Sequence, residues 1–285
     1  MTPEPAGSRV SLWGESPVWH HGLLYHVDIN GHGVIAYDPS SGYERFWPLG
    51  QRVGFVVPRR NGGLVYGGDH GIFLLDPDSG RTEPLVDPEP DTPDNRFNDG
   101  KCSPDGRLFA GTISLARDTG AATLYRLDAD LSLSRAFGPV TTSNGLAWSP
   151  DGTLCYYIDT PTREVREFRY DGESGALLDP RVAFRTDTMI QASPDGMAMD
   201  ADGMLWIAFC HGACVKQINP RDGRELAHIA MPAGETTSVA FGGVDLRDLY
   251  ITTGVDPKRD DDMGGRLFVV RDMPVAGCPV AAFAG

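Results

Sequence analysis

GLLYHVD (22–28), GLVYGGD (63–69), GRLFAGT (106–112), GTLCYYID (152–159), GMLWIAF (203–209) and RDLYITT (247–253) resemble one another and recur roughly every 40 to 50 residues. Each is a short apolar run rich in aromatic and β-branched residues, and a polar turn precedes it. Ser103-Pro104-Asp105-Gly106, Ser149-Pro150-Asp151-Gly152 and Asp200-Ala201-Asp202-Gly203 are the clearest of these turns. A second strand-like segment ending in a polar turn follows most copies: VIAYDPSSG (34–42), IFLLDPDSG (72–80), VREFRYDGESG (165–175), VKQINPRDG (215–223). No segment carries a long helical period. The repeating unit is strand, turn, strand, turn, strand, with room for a fourth, outer strand. Six copies predict an all-β chain folded as a six-bladed β-propeller. A closed ring has no internal boundary, so residues 1–285 are expected to form one domain. The N-terminal stretch around Arg9 to Trp13 is expected to join the last blade.

Composition agrees with this reading and excludes several function classes. The chain has 35 glycines and 22 prolines without a collagen-like period, as many short strands joined by tight turns require. A formal charge of −14 with no basic cluster argues against nucleic acid or an anionic membrane surface as partner. The first residues, MTPEPAGSRV, have no signal-peptide character and no apolar run is long enough to span a bilayer, so the protein is expected in the cytoplasm. Five cysteines, at 102, 155, 210, 214 and 278, are scattered and odd in number, and are read as free thiols. Cys210-His211-Gly212-Ala213-Cys214 has the look of half a zinc site, but no second ligand pair stands at a suitable spacing, and these residues are not expected to bind the metal.

The chemistry emerges when the first strand of each unit is aligned by counting back from its hairpin turn. The six pieces are Glu15-Ser-Pro-Val-Trp19, Val53-Gly-Phe-Val-Val57, Asn98-Asp-Gly-Lys-Cys102, Asn144-Gly-Leu-Ala-Trp148, Asp195-Gly-Met-Ala-Met199 and Thr237-Ser-Val-Ala-Phe241. Five of the six first residues are polar although they open strands nearest the axis. Residues at one register of a propeller ring one mouth of the channel, so Glu15, Asn98, Asn144, Asp195 and Thr237 are expected to converge. Two carboxylates meeting there would repel unless one were protonated or a cation sat between them, and carboxylates with amide oxygens suit Ca²⁺, Mg²⁺ or Mn²⁺. Trp19 and Trp148 are read as packing between blades. The second strands return to the same mouth, placing Asp28 to His32, Asp69-His70, the 113–120 loop, Asp159-Thr160 and Cys210-His211 nearby. His70 and His211 there read more readily as polar caps than as acid–base groups. His20 and His21 fall at the far end.

The chain resembles the SMP-30/gluconolactonase/regucalcin-like family over essentially its whole length. The resemblance rests on Gly14-Glu15-Ser16-Pro17-Val18-Trp19, on Arg96-Phe97-Asn98-Asp99-Gly100-Lys101 with Phe109-Ala110-Gly111-Thr112, on Ser143-Asn144-Gly145-Leu146 with Tyr156-Tyr157-Ile158-Asp159, on Pro194-Asp195-Gly196-Met197, and on Thr236-Thr237-Ser238 with Phe241-Gly242-Gly243. It implies a six-bladed propeller holding one divalent cation (Ca, Zn, Mn or Mg) and hydrolysing a small sugar lactone. By motif, Glu15, Asn144 and Asp195 are metal ligands, Arg96 and Asn98 contact substrate, and Asp195 is the candidate catalytic base. Relatives carry a Glu in the loop after the Gly-Thr pair. Here that loop, Ile113 to Thr119, has none, and Asp118 is the one acidic residue available in its place. The alternatives are another metal-dependent ester or phosphoester hydrolase on the same scaffold, or a non-enzymatic calcium-binding propeller.

Overall fold

The computed structural model describes residues 1–187, 190–258 and 261–285. The chain begins with β1 (Glu4–Val10). Four antiparallel four-stranded sheets follow, each built from consecutive strands. They are β2 (Gly14–His20), β3 (Leu23–Asp28), β4 (Gly33–Tyr37) and β5 (Glu44–Pro48); then β6 (Val53–Pro58), β7 (Leu64–Gly68), β8 (Gly71–Leu75) and β9 (Thr82–Val86). The third is β10 (Asn95–Cys102), β11 (Leu108–Ser114), β12 (Ala122–Leu127) and β13 (Leu133–Val140). The fourth is β14 (Ser143–Trp148), β15 (Leu154–Asp159), β16 (Glu164–Asp171) and β17 (Ala176–Arg185). Then come β18 (Ser193–Met199), β19 (Leu205–Cys210), β20 (Cys214–Ile218), β21 (Glu225–Ala230), β22 (Glu235–Gly242), β23 (Asp248–Gly254) and β24 (Arg266–Val270). These last strands and β1 form one eight-stranded sheet, in which Cys210 of β19 pairs with Glu235 of β22. Among the described residues the only helical segment is a 3₁₀ turn at Thr160–Thr162.

The first strands pack side by side. β2 lies against β6, β6 against β10, β10 against β14, β14 against β18, β18 against β22, and β22 against β2 again, so they close a ring. Middle strands are covered on both faces, which is why they read as unbroken apolar runs; every residue of Leu205–Cys210 is buried. Outer strands such as Thr82–Val86 are largely solvated and mixed in composition. Hydrophobic clusters bridge neighbouring sheets: Phe55, Val57, Phe97 and Leu108 form one, and Leu24, Tyr37, Tyr250 and Val269 another. Trp19 stacks on Tyr250 at 5.8 Å and Trp148 packs on Phe109 at 5.4 Å, the packing roles expected of them.

The turns form by the chemistry their residues allow. Ser103 and Ser149 hydroxyls donate to Asp105 and Asp151 at 2.6 Å, and Gly106 and Gly152 take positive φ. The N-terminus does join the last strands, but through Glu4–Val10 on β24, nearer the start of the chain than Arg9 to Trp13. Trp13 makes only an isolated bridge to Gly254. The alternating Glu-Pro-Ala-Gly-Ser-Arg sequence carries too few apolar residues to announce a strand, and only Ala6 of β1 is buried.

Candidate functional site

All six first strands break register at the same level. The irregularities fall between Glu15 and Val18, Val53 and Phe55, Phe97 and Asp99, Asn144 and Leu146, Pro194 and Met197, and Thr236 and Ser238. A bulge turns a side chain out of the alternating pattern, so this level is where side chains are re-aimed. Ser16, at φ 48°, holds a left-handed conformation rare for a residue with a side chain, and its amide donates to Glu15 Oε2 at 2.8 Å.

The structure brings Glu15, Asn144 and Asp195 to this level and buries all three, at 7%, 5% and 7% exposure. Asn144 is fixed by its neighbours: its Nδ2 donates to Thr160 Oγ1 at 3.1 Å, Thr160 donates to the Pro194 carbonyl at 3.0 Å, and Gly145 N–H donates to Asn144 Oδ1 at 3.1 Å. The 3₁₀ turn thus ties β14 to β18. Burial pushes the Asp195 carboxyl up to about 8, with Asp99 and Glu235 adding to the effect, while donors from Asn144 and Gly196 oppose it. Glu15 is held well above the usual carboxylate range, first by burial and then by Asp195 and Asp99; the Ser16 amide and Arg96 pull it back. Asp99 is a buried acid that the alignment passed over in favour of Asn98, although it sits in the same motif. Burial raises it too, against Lys101.

Arg96 and Asn98 lie half-buried on β10 beside this cluster. Arg96 Nη1 donates to Asn98 Oδ1 at 3.1 Å and to the Phe97 carbonyl at 2.7 Å, and Asn98 Nδ2 donates to the Ser143 carbonyl at 2.9 Å. Burial lowers the Arg96 guanidinium to about 10, so it stays cationic at neutral pH. Thr237 turns away: its hydroxyl donates to the Gly14 carbonyl at 2.6 Å and meets Thr252, tying β22 to β2.

Of the groups expected around the mouth, several are committed to the backbone. Asp28 accepts the amides of Leu12, Trp13 and Gly31, Asp159 those of Thr141 and Thr142, and Asp69 pairs with Arg52 at 2.9 Å. Asp118 is exposed, and its amide donates to Ser114 Oγ. His211 is more than a cap: its Nδ1 lies 2.6 Å from Glu235 Oε2, a partner that sequence spacing could not reveal because it comes from another hairpin. A cavity of about 540 Å³ at the opposite end of the ring, lined by Trp148, Met199, Phe241 and Val280 among others, includes none of the acidic cluster.

The site's chemistry is therefore a buried acidic group with amide oxygens at one end of a ring of strands, flanked by a fixed guanidinium. The family model for the SMP-30/gluconolactonase/LRE-like region matches residues 13–255, and the chain belongs to that family. Among its relatives, YvrE of Bacillus subtilis, for which sugar lactone lactonase activity is proposed, is 37% identical over 279 residues, 95% of each chain. Regucalcin of Danio rerio is 38% identical over 282 residues, again 95% of each. The solved structure of a calcium-binding regucalcin from Agrobacterium tumefaciens superposes with a TM-score of 0.91 at 25% identity, covering 98% of this chain and 96% of that one.

Proposed function

We propose that residues 1–285 form a single six-bladed β-propeller that opens a small sugar lactone to the aldonic acid with a divalent metal ion held by Glu15, Asn144 and Asp195. The blade count is supported by the closed ring of first strands and by the eight-stranded sheet, which divides at the Cys210–Glu235 pair into β18 to β21 and β22 to β24 with β1. The chain is a lactone-hydrolysing enzyme by its family and by the lactonase its relative is named for. Five free thiols are in keeping with the cytoplasm.

One observation carries the metal reading. Two buried carboxyls, Glu15 and Asp195, act on one another, and with Asp99 they are all raised first by burial, which the cationic Arg96 and Lys101 oppose without offsetting. A cation there would reverse the penalty, and carboxylate and amide oxygens are the donors that a hard ion such as Ca²⁺ takes. The similar regucalcin structure is that of a calcium-binding protein, which makes Ca²⁺ the first ion to test among Ca²⁺, Mg²⁺, Mn²⁺ and Zn²⁺.

When bound, the ion would polarise the lactone carbonyl and acidify the attacking water. With an ion bound, the Asp195 carboxyl would be ionised and could take the proton of the attacking water. Arg96 and Asn98, locked to each other and to the backbone, orient the hydroxyls of a polar, neutral ring. The exposed position of Asp118 favours a substrate range different from that of relatives with a Glu in the same loop. The test is a pH-indicator assay of metal-free protein against a panel of pentono- and hexonolactones with Ca²⁺, Mg²⁺, Mn²⁺ or Zn²⁺ added. Acid release from at least one lactone that depends on added metal supports the reading. Hydrolysis of simple esters or phosphoesters without any lactone turnover overturns it.

A further inference from the structure

Three side chains that the lactone chemistry does not use meet at the same mouth. Cys210 ends β19, His211 follows it at φ 66°, and Glu235 opens β22. Glu235 is 1% exposed. Its Oε2 accepts from the Cys210 thiol at 3.1 Å and from the His211 amide at 3.2 Å, and lies 2.6 Å from His211 Nδ1. One sulfur, one imidazole nitrogen and one carboxylate oxygen lie within 4.8 Å of one another. The other oxygen of Glu235, Oε1, is buried and has no hydrogen-bond partner, an arrangement that costs stability.

Two roles without an ion fit poorly. As a thiol nucleophile, Cys210 would need a base in contact and a stabilised thiolate. His211 Nε2 stands 4.0 Å away, and burial holds the thiol far above its ordinary range, with Asp195, Glu235 and Glu15 adding to it. As a plain ion pair, His211 and Glu235 leave Oε1 unsatisfied and the thiol without purpose. The negative field that opposes a thiolate is the field that draws in a cation.

We propose that Cys210, His211 and Glu235 form a second divalent-cation site, separate from Glu15, Asn144 and Asp195 and suited to a borderline-soft ion of the Zn²⁺ kind. Sulfur, imidazole and carboxylate with an open fourth position are a zinc donor set, and a tetrahedral zinc places sulfur about 3.6 Å from a neighbouring nitrogen or oxygen donor. Cys210 Sγ lies 3.1 Å and His211 Nδ1 2.6 Å from Glu235 Oε2, both somewhat shorter than the edges of such a tetrahedron, so an entering ion would spread these donors slightly apart. Binding releases the thiol proton to solvent, uses the neutral imidazole and gives the buried carboxylate a counter-charge.

Cobalt(II) serves as the probe, because a thiolate ligand gives it an intense near-ultraviolet charge-transfer band that oxygen ligands do not. Titrating metal-free full-length protein should fill about two sites, one of them with the thiolate band. Cys210→Ser should abolish the band and leave one site; Glu15→Gln should keep the band and lose the other site. His211→Asn changes a side chain that is 57% exposed, leaves the buried packing alone, and should weaken the band-forming site at least tenfold. Absence of the thiolate band at saturation, a band surviving Cys210→Ser, a band lost with Glu15→Gln, or unchanged affinity in His211→Asn would each overturn the proposal.

Discussion

Gly145 brings β14 so close to β18 that a Cβ added at residue 145 would stand 2.6 Å from the Asp195 carbonyl oxygen. The approach of these two strands sets Asn144 beside Asp195. Gly145→Ala should therefore push the strands apart, costing about 1–3 kcal/mol of stability as overpacking does, and should also weaken metal binding although no ligand is changed. Urea unfolding and a metal titration of the same variant check both. Stability lost with metal affinity retained would separate the glycine from the site.

Metal affinity should depend on pH. In the metal-free protein Glu15 is held above the ordinary carboxylate range and Asp195 is raised to about 8. Between about 4, where these groups ionise in the unfolded chain, and about 8, the folded protein holds protons that the unfolded chain has released. Stability of the metal-free form should accordingly be highest at the acid side of that window and fall as pH rises through it. A cation displaces the same protons, so affinity should climb with pH and level off above about 8. Glu15→Gln removes one of the titrating groups; it should flatten the slope and cut affinity sharply while the fold is kept. Calorimetry in buffers of different ionisation enthalpy reads the proton release directly, and pH-independent binding would contradict the account.

Arg96→Ala should behave differently. The guanidinium touches Asn98 and the Phe97 carbonyl and bears on Glu15 only through charge, so removing it takes a cation from the edge of the site and should not weaken metal binding. Charge-assisted hydrogen bonds of this kind are worth about 1.5–3 kcal/mol, which sets a loss of roughly 10- to 100-fold in kcat/KM, carried mainly by KM and by selectivity among lactones. Steady-state kinetics on two epimeric lactones measures it.

Much of the fold was legible because its physical demands repeat. A middle strand covered on both faces must be continuously apolar, as in Leu205–Cys210, and a tight turn must supply Gly106 or Gly152. Glu15, Asn144 and Asp195 stood out because a polar residue opens each of these strands at a shared register, and the recurring bulge is the structural counterpart of that register. Asp99 was hidden by the same bulge: a one-residue irregularity between Phe97 and Asp99 blurs which of two neighbours faces inward. Glu235 and His211 lie 24 positions apart with no spacing rule between them, so only the folded chain reveals their contact. The N-terminal strand eluded its placement because β1 is held mainly by backbone pairing to β24.

The central claim is that Asp195 both holds the metal and takes the proton from water, and turnover of Asp195→Asn at saturating metal tests it most directly. Asparagine keeps the size and one ligating oxygen but loses the charge and the basicity. With metal raised until the site is full, kcat should remain depressed by about 10²- to 10⁴-fold, the range that a general base contributes. Recovery of full turnover at saturating metal would make Asp195 a ligand only and contradict the account.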